Sequence, residues 1–412
     1  MNTIGIFLKR LAQRVWFRAA VFTLMGVALA LVSGIIAPWI PFSPSIDIGQ
    51  DSVGSILQIL ATSMLAVTTF SLTAMVTAYS SAASIATPRA TQLLVQDSTS
   101  QNVLSTFIGG FTYSLVGIIA LSTGYYDDQG RTLLFIGTII VVVIIIVTLL
   151  SWIGHLSGFG RMDDIIDRVE HAAQTTLVTY ASRPTLGARA TSDAPRGART
   201  AVHARTAGYV THVDVPAIQS IAERAGVDVF VASMPGTLTR PDHPLARVTG
   251  SPGDETISAL ASAFTIDTHR TFEQDPRLGA ISLSEIAGRA LSPAMNDPGT
   301  AIVVLSAMHR VFLASFAQTP DRELRYPRVW VTPVSLSDLL EDGFRPIARD
   351  GASSLEVGIR IQKMLASLAK AAPPNAATLR RAADEAFERA RRALPPEDRQ
   401  QLRATRRHAW TS

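Results

Sequence analysis

The residues whose types and spacing could do chemistry gather in one part of the chain, in the string Ser292–Ala301 and just before it. They are Glu285, Arg289, Asn296, Asp297 and Thr300. Carboxylates, an amide, a hydroxyl and a guanidinium so placed could bind a small polar ligand, and the carboxylates could transfer protons. The string is therefore a candidate site for a ligand or for catalysis.

The same string also has a structural interpretation. Pro293 would end the preceding helix, and Asn296 would support a tight turn. Asp297 would cap a new helix with Pro298 in its first position. Glu285 and Arg289 would then form an i,i+4 ion pair on an exposed helix face. Capping explains most of the residue choices, so the structural interpretation is favoured over a ligand site.

A second group of polar side chains lies in an otherwise apolar stretch. Thr69, Thr73 and Thr77 are spaced one helical turn apart. In hydrocarbon such hydroxyls bond back to the i−4 carbonyl or across to a neighbouring helix. They could also line a wet path through a membrane. Helix packing and pore lining both stay open, and the three threonines are the candidate pore-lining residues.

Several kinds of chemistry have no support in the sequence. The chain has no cysteine, which excludes disulfides and thiolate ligands. It has no glycine-rich nucleotide loop, no His-Glu-x-x-His zinc motif and no Gly-x-Ser-x-Gly nucleophile motif. The sequence predicts no metal and no cofactor, and it favours a protein without enzymatic activity. A membrane-bound hydrolase that uses Asp297, Glu285 or a histidine is the least favoured alternative.

The three threonines lie in one of four long apolar stretches of the chain. The stretches are Ala19–Ile40, Val53–Ser80, Val103–Tyr125 and Thr132–Ser157, and none contains Lys, Arg, Asp or Glu. Each is near or above the ~20 residues that cross ~30 Å of hydrocarbon as a helix. The sequence therefore predicts a transmembrane bundle of four helices over residues 19–157. The lack of carboxylates in these stretches argues against transport driven by buried carboxylates, and their one histidine, His155, lies near an end.

The remaining residues predict three further regions. Residues 1–18 are basic and have a helical apolar spacing, which predicts an interfacial segment. Residues 158–200 predict a helical extension followed by a flexible linker over Arg183–Thr200, rich in Arg, Pro and Gly. Residues 201–412 mix strand and helix patterns and predict a mostly helical α+β domain.

The distribution of Lys and Arg predicts the orientation. Lys9, Arg10, Arg14 and Arg18 precede the first stretch, while the loop after it has only Asp47 and Asp51. By the positive-inside rule, both termini lie on the cytoplasmic side of a multi-pass membrane protein. A cleavable signal peptide over Met1–Ala37 is a less favoured alternative, because the apolar stretch is long and three more follow.

The last two predicted helices are rich in arginine. Such a face could contact anionic lipid, or it could simply be solvated. No aromatic interleaving or recognisable module accompanies the bases, so nucleic-acid binding is not expected. The expected partners are the lipid bilayer and further copies of the chain.

Several strings together resemble one family. They are Ser71-Leu72-Thr73, Ala86-Thr87-Pro88-Arg89, Gly208-Tyr209-Val210, Pro235-Gly236 with His243-Pro244-Leu245, the string Arg270–Asp275 and the string Ser292–Ala301. Together with the four apolar stretches before them, these strings resemble the bacterial predicted membrane proteins grouped as domain of unknown function 2254. The resemblance covers nearly the whole chain and implies an integral protein of the bacterial inner membrane with a cytoplasmic domain. It carries no activity over.

Two functional hypotheses remain. The favoured one is a passive, channel-like homo-oligomer in which the hydroxyl-rich second stretch lines the path and the cytoplasmic domain gates or assembles it. Uncharged spans and missing energy-coupling motifs support this hypothesis. The alternative is a membrane-anchored sensor or scaffold whose cytoplasmic domain binds a partner or a small ligand.

Overall fold

The structure, a computed structural model, describes residues 15–36, 50–240 and 242–411. These residues divide into two compact units. The bundle unit contains the described residues up to 84 together with 91–164, and the sheet unit contains 85–90 and 165–411. Most of the expected interfacial segment 1–18 lies outside the described residues, as does Asp47 of the orientation argument.

The described part of the bundle unit consists of helices. They are α1 (Val15–Ile36), α2 (Gln50–Ile85), α3 (Pro88–Val95), α4 (Ser98–Ser122) and α5 (Asp128–Gly158). The end of α2 and the start of α3 belong to the sheet unit. At 1.5 Å per residue, α2 is about 54 Å long, which exceeds the ~30 Å of a hydrocarbon core. The long helices α1, α2, α4 and α5 coincide with the four predicted apolar stretches.

Small residues let α1 and α4 approach closely. A Cβ atom at Gly26 would lie 2.6 Å from the backbone oxygen of Gly109, and one at Gly109 would lie 3.0 Å from the backbone oxygen of Phe22. Such backbone contact is how helices associate in lipid, where burial of apolar surface gives little driving force. Between the helices, Leu57, Tyr113 and Leu134 form part of one buried apolar cluster.

The strands form two sheets in the sheet unit. They are β1 (Ala188–Ala190), β2 (Ala198–Val202), β3 (Tyr209–Val213), β4 (Val229–Val231), β5 (Ala246–Thr249), β6 (Phe264–Asp267) and β7 (Tyr326–Val331). The larger sheet has the order β1-β7-β4-β5-β2, and β3 pairs with β6. Strand β7 is parallel to β1 and β4, whereas β5 is antiparallel to β4 and β2. Valines of β4, β5 and β7 are fully buried in the core beneath the sheet.

The structure differs from the prediction between the bundle and the sheet. The chain breaks at Phe159–Arg161, where Gly160 has φ +77°, before α6 (Met162–Ser182) begins, so α5 does not continue as one helix. The segment expected to be a flexible linker, Arg183–Thr200, contains β1 and the start of β2. These strands are short and lack alternation, and pairing with the distant strands β7 and β5 is what orders them.

Helices make up the rest of the sheet unit. They are α7 (Val215–Ala225), α8 (Asp254–Ser262), α9 (Leu278–Ala290), α10 (Pro298–Phe316), α11 (Leu336–Asp350), α12 (Leu355–Ala371), α13 (Ala376–Ala393) and α14 (Pro396–Thr411). Helix α9 packs against α10 and α11, and α12 packs against α10, α13 and α14.

Five helices within the described residues are long and apolar enough to cross a membrane, whereas the sequence predicts four. The fifth is α10, which lies in the sheet unit. Its Val304, Leu305 and Met308 are at most 1% exposed. Length and composition alone therefore do not separate a core helix from a span.

Candidate functional site

Asp297 acts as a helix cap. One carboxylate oxygen accepts a hydrogen bond from the Thr300 backbone N–H at 3.0 Å, and the other accepts from the Thr300 hydroxyl at 2.5 Å. Asn296 precedes it in the left-handed region, with φ +47°. These are the features of the structural interpretation: a turn at Asn296 and a cap on α10. Asn296 is exposed, so its amide remains available to a ligand.

Replacing Asp297 with alanine is expected to cost about 1 kcal/mol of stability, the usual value of an N-cap. The hydrogen bonds from the Thr300 hydroxyl and backbone hold the pKa of Asp297 below its ordinary value. Because the folded-state pKa is lowered, this stabilisation is present above pH ~4 and is lost as the pH falls through the lowered pKa. Thermal unfolding of the wild-type protein and the Asp297→Ala variant from pH 6 to pH 2 measures this. A constant difference between the two proteins across that range would contradict it.

Glu285 contacts the chain at the junction of α2 and α3. Its carboxylate accepts a hydrogen bond from the Thr87 hydroxyl at 2.8 Å and forms an ion pair with Arg89. Thr87 is 3% exposed, whereas Glu285 and Arg89 are about one-third exposed. The sequence predicts an ion pair between Glu285 and Arg289, and its spacing gives no sign of partners about 200 residues away. The sheet unit therefore includes the short segment Ile85–Ala90 between α2 and α3.

The three threonines of α2 lie on an exposed face of the bundle unit. The hydroxyls of Thr69, Thr73 and Thr77 each donate to the carbonyl four residues earlier, at 2.9–3.0 Å. Back-bonding satisfies a hydroxyl in hydrocarbon without a second helix. The stripe is not turned into the bundle of one chain, so a passage lined by it would need a further copy.

A serine, a histidine and an aspartate meet in the bundle unit, at a place that the sequence does not mark as a site. Asp97 caps α4 by accepting from the Ser100 backbone N–H at 2.7 Å and hydroxyl at 2.6 Å. His155 Nε2 lies 3.1 Å from the same carboxylate oxygen. Ser100 is fully buried and does not present its hydroxyl to a substrate. The cluster therefore ties α4 to α5, and the cap itself could have been found from Asp97 preceding Ser98–Ser100.

A groove of about 330 Å³ runs between α11 and α13. Leu340, Phe344 and Ala386 form an apolar floor and are buried. Charged side chains form the rims, namely Glu341, Arg345, Arg381, Glu385 and Arg389. Glu341 pairs with Arg345. The three charged residues from α13 have no ion-pair partner among the described residues. The groove has the size and the mixed lining of a small-ligand site.

Other arginines of the last two helices are engaged within the sheet unit. Arg391 pairs with Glu388 at 2.8 Å, and Arg406 pairs with Asp384 and lies over the ring of Phe387. The sequence predicts a single basic face, because it does not show which arginines have acidic neighbours. Pairing divides that face into engaged residues and the residues that border the groove.

Helix α11 connects this groove to the helix that carries Glu285. Arg277, at the start of α9, forms two hydrogen bonds to Asp342 of α11, at 2.5 and 3.0 Å. A Cβ atom at Gly343 would lie 3.3 Å from Ala280 Cβ, so the two helices are in close contact. One face of α11 thus lines the groove while another is fixed to α9.

The comparisons with known proteins agree with the membrane character of the bundle. The chain is 28% identical over 398 residues to the uncharacterized proteins Mb1321c of Mycobacterium bovis and Rv1290c of Mycobacterium tuberculosis. The alignment covers 90% of this chain and 74% of each relative. No solved structure matches the chain significantly. The model of the predicted membrane proteins DUF2254 matches residues 12–367, and the chain belongs to this family.

Proposed function

We propose that the protein is a membrane-anchored sensor whose sheet unit binds a small anionic ligand in the α11–α13 groove. The observation that carries the proposal is the hydrogen bond from Thr87 to Glu285 together with the ion pair between Glu285 and Arg89. These contacts attach a segment between two apolar helices to a helix of the sheet unit. Movement of α11 on ligand binding would shift α9 through the Arg277–Asp342 pair, and α9 would shift this segment.

The ligand class follows from the groove. Arg381 and Arg389 lie eight residues apart on one face of α13, about 12 Å along the helix axis. Together with Arg345 they outnumber the two glutamates of the rim. Guanidinium groups bind carboxylate and phosphate in bidentate fashion, and the apolar floor would accept a carbon skeleton. A small carboxylate or phosphate ester with an apolar part fits these groups.

The proposal can be tested with a single cysteine, because the natural chain has none. Ser84→Cys, at the exposed end of α2, provides a unique labelling site next to the segment Ile85–Ala90. Thermal unfolding of the full-length protein in nanodiscs first identifies probes among mononucleotides, phenyl phosphate and benzoate, each of which joins an anionic group to an apolar part. A bound probe is expected to change the labelling rate of this cysteine, and Glu285→Gln is expected to abolish the change.

Arg381→Gln and Arg389→Gln should each weaken probe binding about tenfold, as expected for a charge-assisted hydrogen bond. Arg391→Gln is the matched control, since Arg391 is paired with Glu388 outside the groove. No thermal shift with any probe, or a shift without a change in labelling, would refute the sensor.

The ion pair between Arg89 and Glu285 is expected to contribute only modestly to stability. Arg89 and Glu285 are partly exposed, so a double-mutant cycle of Arg89→Gln and Glu285→Gln should give a coupling energy of about 0.5–1 kcal/mol. Chemical unfolding of the four proteins in one detergent measures it. Additive effects of the two substitutions would show that the pair contributes nothing to stability.

We further infer that α1, α2, α4 and α5 are the four spans and that both termini are cytoplasmic. The burial of α10 against α9 and α12 supports four spans, and the Lys and Arg distribution supports the orientation. With four spans and cytoplasmic termini, we place the protein in the bacterial inner membrane. Contact of α13 and α14 with anionic lipid stays a prediction.

A second candidate is the homo-oligomeric conduit, and the exposed stripe of Thr69, Thr73 and Thr77 favours it. Copies joined at this face of α2 would place hydroxyls around a shared passage. Proteoliposomes should then show ion or solute flux that falls when all three residues become leucine, and cross-linking should capture the oligomer. The absence of flux under every applied gradient would exclude a conduit.

A further inference from the structure

An open groove of about 540 Å³ lies on the outside of the bundle unit, between α2 and the end of α5. Its lining from α2 consists of Phe70, Thr73, Ala74, Thr77, Ala78 and Ser81. Leu156 at the end of α5 and Phe159, Gly160 and Arg161 just after it line the other side of the groove. The tight turn at Gly160 brings the backbone close to α2, since a Cβ atom there would lie 3.0 Å from Ala78 Cβ.

The polarity of the groove changes along its length. Phe70 and Ala74 line one end, and Ser81 and Arg161 line the other. From Phe70 to Ser81, α2 rises about 16 Å, which is roughly half of a ~30 Å hydrocarbon core. A groove of this length would extend across about one leaflet, with its polar end where that leaflet meets water.

The polar end offers hydrogen-bond donors. Arg161 is exposed, and its guanidinium has no partner among the described residues. The Ser81 hydroxyl likewise donates to no described acceptor. Thr73 and Thr77 use their hydroxyl protons within α2, so they add no donor. Asp163 and Asp164 follow Arg161, but neither lines the groove, and Asp164 accepts from the Gly160 N–H at 3.2 Å.

We propose that this groove binds one glycerophospholipid of the leaflet in which α2 ends, with an acyl chain along Phe70–Ala78 and its phosphate on Arg161 and Ser81. A guanidinium beside a hydroxyl matches a phosphate diester, and the apolar length of the groove matches an acyl chain. The site would be specific, because one cation and one hydroxyl lie at the polar end of a single groove. A lipid held here also keeps Thr73 and Thr77 away from any aqueous passage.

The experiment uses the full-length protein after detergent exchange and native mass spectrometry with added palmitoyl-oleoyl phosphatidylglycerol. One lipid per chain is expected to survive at detergent concentrations that remove the others. Arg161→Gln should weaken this retention about tenfold, the usual effect of losing a charge-assisted hydrogen bond. Diacylglycerol with the same acyl chains, which lacks the phosphate, should not be retained.

Arg131→Gln is the matched control, because Arg131 lies near the opposite end of α5 and pairs with Asp128. Ala74→Phe should fill the groove and reduce retention even with Arg161 intact, and Thr77→Phe provides a second filling variant should the first misfold. Equal retention by the wild type and Arg161→Gln, or retention of diacylglycerol as strong as that of phosphatidylglycerol, would overturn the proposal.

Discussion

Replacing Asp275 with alanine is expected to destabilise the sheet unit by about 3–5 kcal/mol, the cost of breaking a buried ion pair on one side. Asp275 is 1% exposed, and its carboxylate accepts two hydrogen bonds from Arg270, at 2.6 and 3.0 Å. It also accepts from the Arg277 backbone N–H at 3.1 Å. The substitution leaves the guanidinium, whose side chain is 15% exposed, without its counter-charge.

The turn at Gly236 is expected to loosen together with this pair. A Cβ atom at Gly236 would lie 2.6 Å from the Asp275 carboxylate and 2.8 Å from the Arg270 guanidinium, so the turn packs directly on both charges. Urea unfolding of the protein in detergent, followed by far-ultraviolet circular dichroism, measures the loss. Glu388→Gln removes one side of an exposed pair and should change little. A comparable effect of the two variants would mean that Asp275 is not effectively buried.

Replacing Gly26 with alanine is expected to destabilise the bundle unit by about 2–3 kcal/mol, because the added methyl overpacks a helix contact. The new Cβ would lie 2.6 Å from the Gly109 carbonyl oxygen, and a backbone atom cannot rotate away as a side chain can. The two helices must therefore separate, and dispersion contacts along their interface weaken.

Gly154 provides the matched control for this substitution. It also lies within a long apolar helix of the bundle, and a Cβ atom added there meets no atom within 4 Å. Gly154→Ala should be neutral or slightly stabilising, since alanine is the better helix former. Titration with sodium dodecyl sulfate from mixed micelles compares both variants with the wild type. Equal unfolding midpoints for the two variants would show that α1 and α4 are not in backbone contact.

Much of the local structure is predictable from the sequence because short-range physics determines it. The four apolar stretches coincide with α1, α2, α4 and α5. The cap at Asp297 and the helix stop at Gly226, with φ +65°, also follow from local preferences. In each case the signal lies within a few residues of the feature that it specifies.

The segment Arg183–Thr200 shows where local patterns fail. Its composition predicts a linker, yet it supplies β1 and the start of β2. Three to five residues carry too little alternation to predict a strand, and the partners lie about 50 to 140 residues away. Helix α10 shows a second ambiguity, because its apolar composition suits a membrane span as well as the buried position of Val304, Leu305 and Met308.

The sequence by itself determined that this chain is a membrane protein, and it located helix caps and turns. Both follow from local properties, namely the length of the apolar stretches and the backbone preferences of single residues. Only the tertiary structure decided which charges have partners: Glu285 with Arg89, Asp275 with Arg270, and Asp342 with Arg277. It also decided that Thr73 and Thr77 are exposed and border a groove. The partners of Glu285 and Asp342 are distant in the chain, and the Arg270–Asp275 pair spans a loop, so no periodicity within one helix specifies any of the three.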